Sequence, residues 1–277
     1  MASRNYTEYE TTATRARYPS DVSDAEWAII EPLVTEKAKT GRPRSVDMRE
    51  IWNAVMYLNR SGCQWRYLPK DFADYRHVWY YFDKWTNDGL FERINTELRK
   101  RVRVAEGRDP EPSAALIDSQ SVKTTEVGGD VGIDGGKKVK GRKRHVLVDT
   151  LGLLLFVVVT AASVSDTDGG IDIFDSVKKR LPRLKMIWAD QGYKARFVNW
   201  VQQMCVHIVE IIQKPKDQKG FVVQPQRWKV ERSIAWLNRS RRLSKDFEFH
   251  TESSESMVYL ASIHLLLHRL TVTRKRC

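Results

Sequence analysis

The chain has 277 residues, 42% of them hydrophobic with nine Trp, which suffices for a real core and excludes global disorder. Its formal charge of +12 points to a polyanionic partner, nucleic acid before a membrane surface. The longest apolar stretch, Leu151 to Ser163, is too short to span a bilayer, and Cys63, Cys205 and Cys277 form no CxxC pattern and read as reduced.

Residues 1 to about 17 are polar, without the apolar segment of a signal peptide. From Ser23 the pattern turns helical: SDAE offers a capping box, Ser23 with Glu26, ahead of Trp27, Ile30 and Val34. A second helix is expected over Val46 to Ser61, with Ile51, Val55 and Leu58 on one face and Gly62 as its stop. A third carries Val78, Phe82 and Trp85 and ends near Gly89, and a fourth runs from Leu90 towards Val104. The aromatic series Tyr75, Trp79, Phe82 and Trp85 reads as core. Arg42, Arg44, Arg60, Arg66, Lys70, Arg76 and Lys84 are candidates for meeting DNA, although the connector between helices two and three is longer than a standard helix-turn-helix allows.

EGRDPEPS, Glu106 to Ser113, is charged and proline-rich, a linker by composition. It divides the chain into a helical part, 1–108, expected to bind DNA, and a part of α/β character, 109–277. In the second part AALID, ending at Asp118, is a short strand, and KRHVLVDTLGLLLFVVVTAAS reads as two strands joined near Asp149 to Gly152. A helix over Gly170 to Arg180, a strand LKMIWAD ending at Asp190, a helix near Ala195 to Met204 and a strand Cys205 to Ile212 follow. A helix around Glu231 and a last apolar helix, Met257 to Leu270, close the chain.

Asp118 and Asp190 each follow an apolar run and precede a polar one, so both are expected at the carboxyl ends of strands, where α/β sites form. Glu231 is the single acid in RWKVERSIAWLNRSRRLSK, among seven Lys and Arg. At 100° per residue it lies beside the apolar edge of Val230, Ile234 and Leu237, half turned to the core. The plainer alternative is an i,i+4 pair with Arg227, worth roughly 0.2–0.5 kcal/mol. Three such acids suit a divalent cation with open positions for water and phosphate. Two ions about 3.5–4 Å apart would serve phosphodiester cleavage.

Together, YPSDVSDAEWAIIEPLV, GRPR, AALIDSQSVKT, GRKRHVLVDTLGLLL, WADQGY and RWKVERSIAWLNRSRRLSKDFE resemble the DDE transposases of bacterial insertion sequences, in the insertion-sequence-five group. The likeness runs from about Tyr18 to the end. It implies a ribonuclease-H-like catalytic domain, a mixed sheet with flanking helices, behind an all-helical N-terminal domain. It also implies that Asp118, Asp190 and Glu231 are the catalytic, metal-binding triad for Mg²⁺, with Mn²⁺ as substitute. Arg227 and Glu231 match the wider pattern around the glutamate, whereas Gln224 and Asn238 stand at its Tyr and Lys/Arg positions.

The implied activity is cleavage at inverted-repeat ends and joining to target, by a homodimer or larger assembly on double-stranded DNA, in the bacterial cytoplasm near the nucleoid. A nuclease of the same fold without strand transfer, or an inactive DNA-binding regulator, are the alternatives. KKVKGRKRH is expected as a hairpin loop gripping phosphates through Lys137, Lys138, Lys140, Arg142, Lys143 and Arg144, joined by Arg227, Arg239, Arg242 and Lys245. His145 is expected to serve a phosphate or a structural role rather than act as a general base, Asp166 and Asp168 to cap a helix, and Asp149 to serve a turn.

Overall fold

The structure, a computed structural model, describes residues 15–35, 46–126, 128–177, 180–193, 196–204, 208–212, 226 and 228–272. Helix α1 (Asp24–Val34) opens on the expected capping box: Glu26 N–H donates to Ser23 Oγ at 3.2 Å and Ser23 N–H to Glu26 Oε2 at 2.8 Å. Helix α2 (Met48–Ser61) is capped by Asp47 and stops at Gly62, whose φ of 73° is left-handed and suits glycine. Helices α3 (Tyr75–Asn87) and α4 (Leu90–Ala105) follow, parted by Gly89. Trp79 departs from the expected core. Phe82 and Trp85 are buried, but Trp79 is 48% exposed, because α3 turns Val78, Phe82 and Trp85 inward and leaves Trp79 and Tyr80 outside.

Strand β1 (Ala114–Lys123) lies at the centre of a mixed sheet. It pairs antiparallel with β3 (Val139–Asp149) and parallel with β5 (Met186–Ala189), which is parallel to β6 (Ile208–Ile211). The other edge of β3 carries β4 (Leu154–Ala161) and the short β2 (Gly132–Asp134). An antiparallel meander, a crossing helix and two parallel strands make the ribonuclease-H-like arrangement expected from the resemblance.

Alternation along the strands divides the interior in two. Ala115, Ile117, Leu147 and Ile187 face α5 (Asp166–Val177) and α6 (Arg196–Met204) through Ile173, Phe174, Phe197 and Val201. Leu116, Val146, Val148 and Val157 face the other way, towards α7 (Trp228–Leu237) and α8 (Thr251–Thr271). That second core is continuous with the one built by α1 to α4, through Trp52, Phe91, Leu260 and Leu267. Among the described residues no helix is long and apolar enough to cross a membrane.

Several boundaries differ from expectation, among them α5, which starts at Asp166 rather than Gly170. Strand β1 continues five residues past Asp118, because Ser119 to Lys123 pair with His145 to Gly141 of β3. The basic run KKVKGRKRH is therefore only partly a turn, and from Val139 it is strand. Helix α8 starts at Thr251 rather than Met257, and its early serines are buried on polar partners: Ser254 Oγ donates to Asp246 Oδ2 at 2.6 Å, and Thr86 Oγ1 to Ser256 Oγ at 3.0 Å.

Candidate active site

Strands β1 and β5 are parallel neighbours, with Leu116 opposite Trp188, so Asp118 and Asp190 follow at matching heights on the sheet. Asp118 stands in mid-strand, where a strand end was expected, and Asp190 directly after β5. Both are half-buried, and with Leu116, Ala189, Ile212 and Val230 they line a cavity of about 10 Å³, space for roughly one water or ion. Backbone amides hold each carboxylate: Ser119 N–H donates to Asp118 Oδ1 at 2.7 Å, and Gly192 N–H to Asp190 Oδ1 at 2.8 Å.

Val230 brings α7 to this cavity, and Glu231 is the next residue, in the first turn of the helix. Its side chain is exposed rather than half-buried as expected. Val230, Ser233 and Leu237 are the residues that α7 turns inward, which leaves Glu231, Ala235 and Asn238 on its outer stripe. The suggested partner, Arg227, lies outside the described residues.

The structure thus brings Asp118 and Asp190 together and sets Glu231 one residue from the wall of their cavity. Among the described residues, no three His, Cys, Asp or Glu side chains are close enough to hold one metal ion. The donor chemistry fits a hard cation all the same: two carboxylates at one cavity, with oxygen donors and no sulfur or imidazole on its walls.

Helix α7 is fixed to the β3–β4 turn. Ser233 Oγ donates to Gly152 O at 2.7 Å, and Arg232 Nη2 to Leu151 O at 3.1 Å. The guanidinium of Arg232 also lies over Trp228 and Trp236, 4.5 and 4.4 Å from their ring centroids. Asp149 serves this turn as expected, accepting from the Leu151 and Leu153 amides, both at 2.9 Å, and pairs with Arg103 of α4 at 2.5 Å.

The basic residues sort by burial. Lys137, Lys138, Lys140, Arg239 and Lys245 are exposed, whereas Arg142, Lys143, Arg144 and Arg242 are buried. Arg142 donates to Asp246 Oδ1 at 3.1 Å and to the Glu248 and Phe249 carbonyls at 2.8 and 2.5 Å. Arg144 donates to the carbonyls of Leu243 at 2.8 Å and Lys245 at 3.3 Å. Arg242 pairs with Glu248 at 2.7 Å and donates to Cys63 O at 2.9 Å. These guanidinium groups fasten the segment before α8 to the sheet and to α2, so the expectation that they meet phosphate is corrected. Lys143 is corrected likewise: its ammonium is 3.0 Å from Asp166 and 2.9 Å from Val164 O. Of the N-terminal cations, Arg66, Lys70, Arg76 and Lys84 are exposed and Arg60 is half-buried. Arg42 and Arg44 lie outside the described residues.

His145 is wholly buried, 3.1 Å from Thr160 Oγ1, and burial pushes its pKa down to about 4. It is a neutral interior group. Helix α5 is capped by Ser165, whose Oγ accepts from Asp168 N–H at 3.1 Å and donates to Asp168 Oδ2 at 2.7 Å. Asp166, expected as a second cap, instead accepts from Ser119 Oγ at 2.7 Å. Burial would raise its pKa, but the contacts from Ser119 and Lys143 outweigh this and hold it below the usual carboxylate range. Tyr193 is another residue that sequence reasoning passed over. Its phenol is pushed well above its ordinary pKa by burial and then by Asp118, Asp166 and Asp190. The polar run SDTDGG signals a helix start; only the folded sheet brings its first acid near WADQGY.

Comparison with known proteins agrees with the resemblance read from the sequence. Residues 109–266 match the family described as "Transposase DDE domain", and residues 22–95 match "Putative transposase of IS4/5 family". The "Putative transposase for insertion sequence element IS402" of Burkholderia cepacia is 29% identical over 116 residues, 39% of this chain and 54% of that protein. The "Uncharacterized protein y4sN" of Sinorhizobium fredii is 28% identical over 79 residues, 28% of this chain and 63% of that protein. The chain thus spans less than two thirds of the length of these relatives.

Two solved structures overlap 84% of the chain: the "Mos1 transposase paired-end complex with left transposon end", with a TM-score of 0.30 at 12% identity over 79% of that chain, and the "Crystal structure of the Mos1 Strand Transfer Complex", with a TM-score of 0.29 at 11% identity over 78%. At that distance the overlap carries no argument. The transposase domain covers more than half of the chain, and on that match this protein belongs to the DDE transposases of insertion sequences.

Proposed function

We propose that the chain binds the inverted-repeat ends of its own insertion sequence as double-stranded DNA, cuts there, and joins the freed 3′-hydroxyl to target DNA. Residues 1–108 are assigned to end recognition and 109–277 to the chemistry. The observation that carries this reading is the pair Asp118 and Asp190, presented from parallel neighbouring strands into one cavity beneath the first turn of α7. Asp118, Asp190 and Glu231 would hold Mg²⁺, or Mn²⁺ in its place. The bound ion would supply activation of the attacking oxygen and stabilisation of the leaving one.

The chain's own residues orient the reactants. The Ser119 and Gly192 amides aim the two aspartates, and Ser233 and Arg232 set the position of α7 and so of Glu231. Exposed Lys137, Lys138, Lys140, Arg239 and Lys245 are assigned to phosphate contacts, which position DNA without reading its sequence. Handling two ends calls for at least a dimer on DNA. The test is an assay with oligonucleotide duplexes carrying the element's ends. Cleavage and joined products that both require Mg²⁺ support the reading; cleavage without joined product replaces it by a nuclease, and binding without cleavage by a regulator.

A further inference from the structure

Helix α3 carries two consecutive large aromatic side chains that the core does not use. Val78, Phe82 and Trp85 are buried, whereas Trp79 is 48% and Tyr80 54% exposed. With exposed Arg76 and half-buried Asp83 they stand at i, i+3, i+4 and i+7, one stripe on the outer side of the helix. A single exposed ring needs no explanation, but Trp and Tyr side by side are the residues that anchor protein contacts.

The charges around the rings select the occupant. Arg76 pairs with Asp74 at 3.0 Å and Lys84 with Asp88 at 2.7 Å, and Asp83 accepts from Asn87 Nδ2 at 3.2 Å. Asp74, Asp83 and Asp88 thus outnumber Arg76 and Lys84 on this helix, in a chain whose formal charge is +12. Such a face suits DNA poorly, because phosphate contacts draw on cations that acids have not neutralised. Two copies of so basic a chain repel each other over most of their surface, and an aromatic patch without excess positive charge is where that repulsion is least.

The stripe also complements itself. In a two-fold contact residue i meets j while j meets i. With α3 laid antiparallel on the α3 of a second copy, and the axis between residues 79 and 80, Trp79 faces Tyr80 and Arg76 faces Asp83, each twice. We propose that the outer face of α3 is the surface on which two copies of this chain associate, with Trp79 and Tyr80 at its centre and Arg76–Asp83 pairs at its rim. The use of that dimer, to hold two element ends at once, rests on the transposase reading; the contact itself does not. Arg76, a candidate for DNA in the sequence, is thereby assigned to the partner copy.

The test is sedimentation of the full chain, alone and with a duplex carrying one element end. It compares wild type with Arg76→Asp, Asp83→Arg, the two changes together, Trp79→Ser with Tyr80→Ser, and Phe249→Ser as an exposed aromatic elsewhere. Each single charge reversal sets like charges opposite one another twice and is expected to weaken association by roughly tenfold or more. The combined reversal is expected to recover it, which also shows that the reversed side chains are tolerated by the fold. Loss of both rings should give a monomer, Phe249→Ser should behave as wild type, and all should bind a single end with wild-type affinity. If Arg76→Asp weakens and Asp83→Arg tightens single-end binding while association is unchanged, α3 is a DNA face and the inference falls. It falls equally if the combined reversal recovers nothing, or if wild type stays monomeric with and without DNA. Mg²⁺-dependent cleavage by wild type in the same samples keeps the transposase reading standing in each of these cases.

Discussion

Arg142 and Lys138 stand four residues apart in one basic run, yet they belong to different parts of the molecule. Lys138 is exposed in the turn before β3. Arg142 is fully buried, with its donors spent on Asp246 and three carbonyls, those of Asp130, Glu248 and Phe249. Composition registers the charges but not the acid and carbonyls awaiting them, most of which lie about a hundred residues later. Arg142→Ala would leave Asp246 buried and unpaired, and a loss of about 3–5 kcal/mol in urea unfolding is expected. Lys138→Ala should change stability by less than about 0.5 kcal/mol. It should instead weaken DNA binding and reduce the salt slope by about 0.9. The opposite pattern, a salt effect at Arg142 and a stability effect at Lys138, would reverse the assignment.

At the scale of elements, helices α1 to α4 were legible because caps, stops and apolar faces are local signals: Ser23 with Glu26, and Gly62 after Leu58. The order of strands and helices in 109–277 was legible for the same reason, except for the short β2, which was not expected. The continuation of β1 past Asp118 was not, since SQSVK is polar and becomes strand only by pairing with β3. The contacts of Asp166 with Ser119 and Lys143 were hidden similarly, by a sequence context that reads as a cap. Glu231 was placed on the correct helix but half turned to the core, because periodicity gives a face and not which neighbours cover it. The contact that sets α7 was invisible as well. Gly152 has φ +79°, and a Cβ there would meet Ser233 Oγ at 2.7 Å. Gly152→Ala is therefore expected to push α7 off the turn, with a loss of roughly 1–3 kcal/mol. Cleavage should fall about tenfold or more with end-DNA affinity kept, as a small misplacement can lower rates steeply. Wild-type cleavage by this variant would show that the turn does not position Glu231.

Over the whole molecule, the helices that precede the linker and the sheet that follows it are joined by a common core and by Arg103–Asp149, which ties α4 to the turn under α7. DNA held by the helical part would thus be held at a set distance from the carboxylates. The charge of +12 is compatible with that use. The central claim is that Glu231, a lone acid among cations and exposed beside the aspartate cavity, completes the catalytic set. It is tested most directly by comparing wild type and Glu231→Gln on end DNA with and without Mg²⁺, scoring binding, cleavage and joining in one experiment. The account predicts that Glu231→Gln binds the ends as wild type does but neither cuts nor joins them. Cleavage by Glu231→Gln at the wild-type rate would contradict it and leave Glu231 a surface charge on α7.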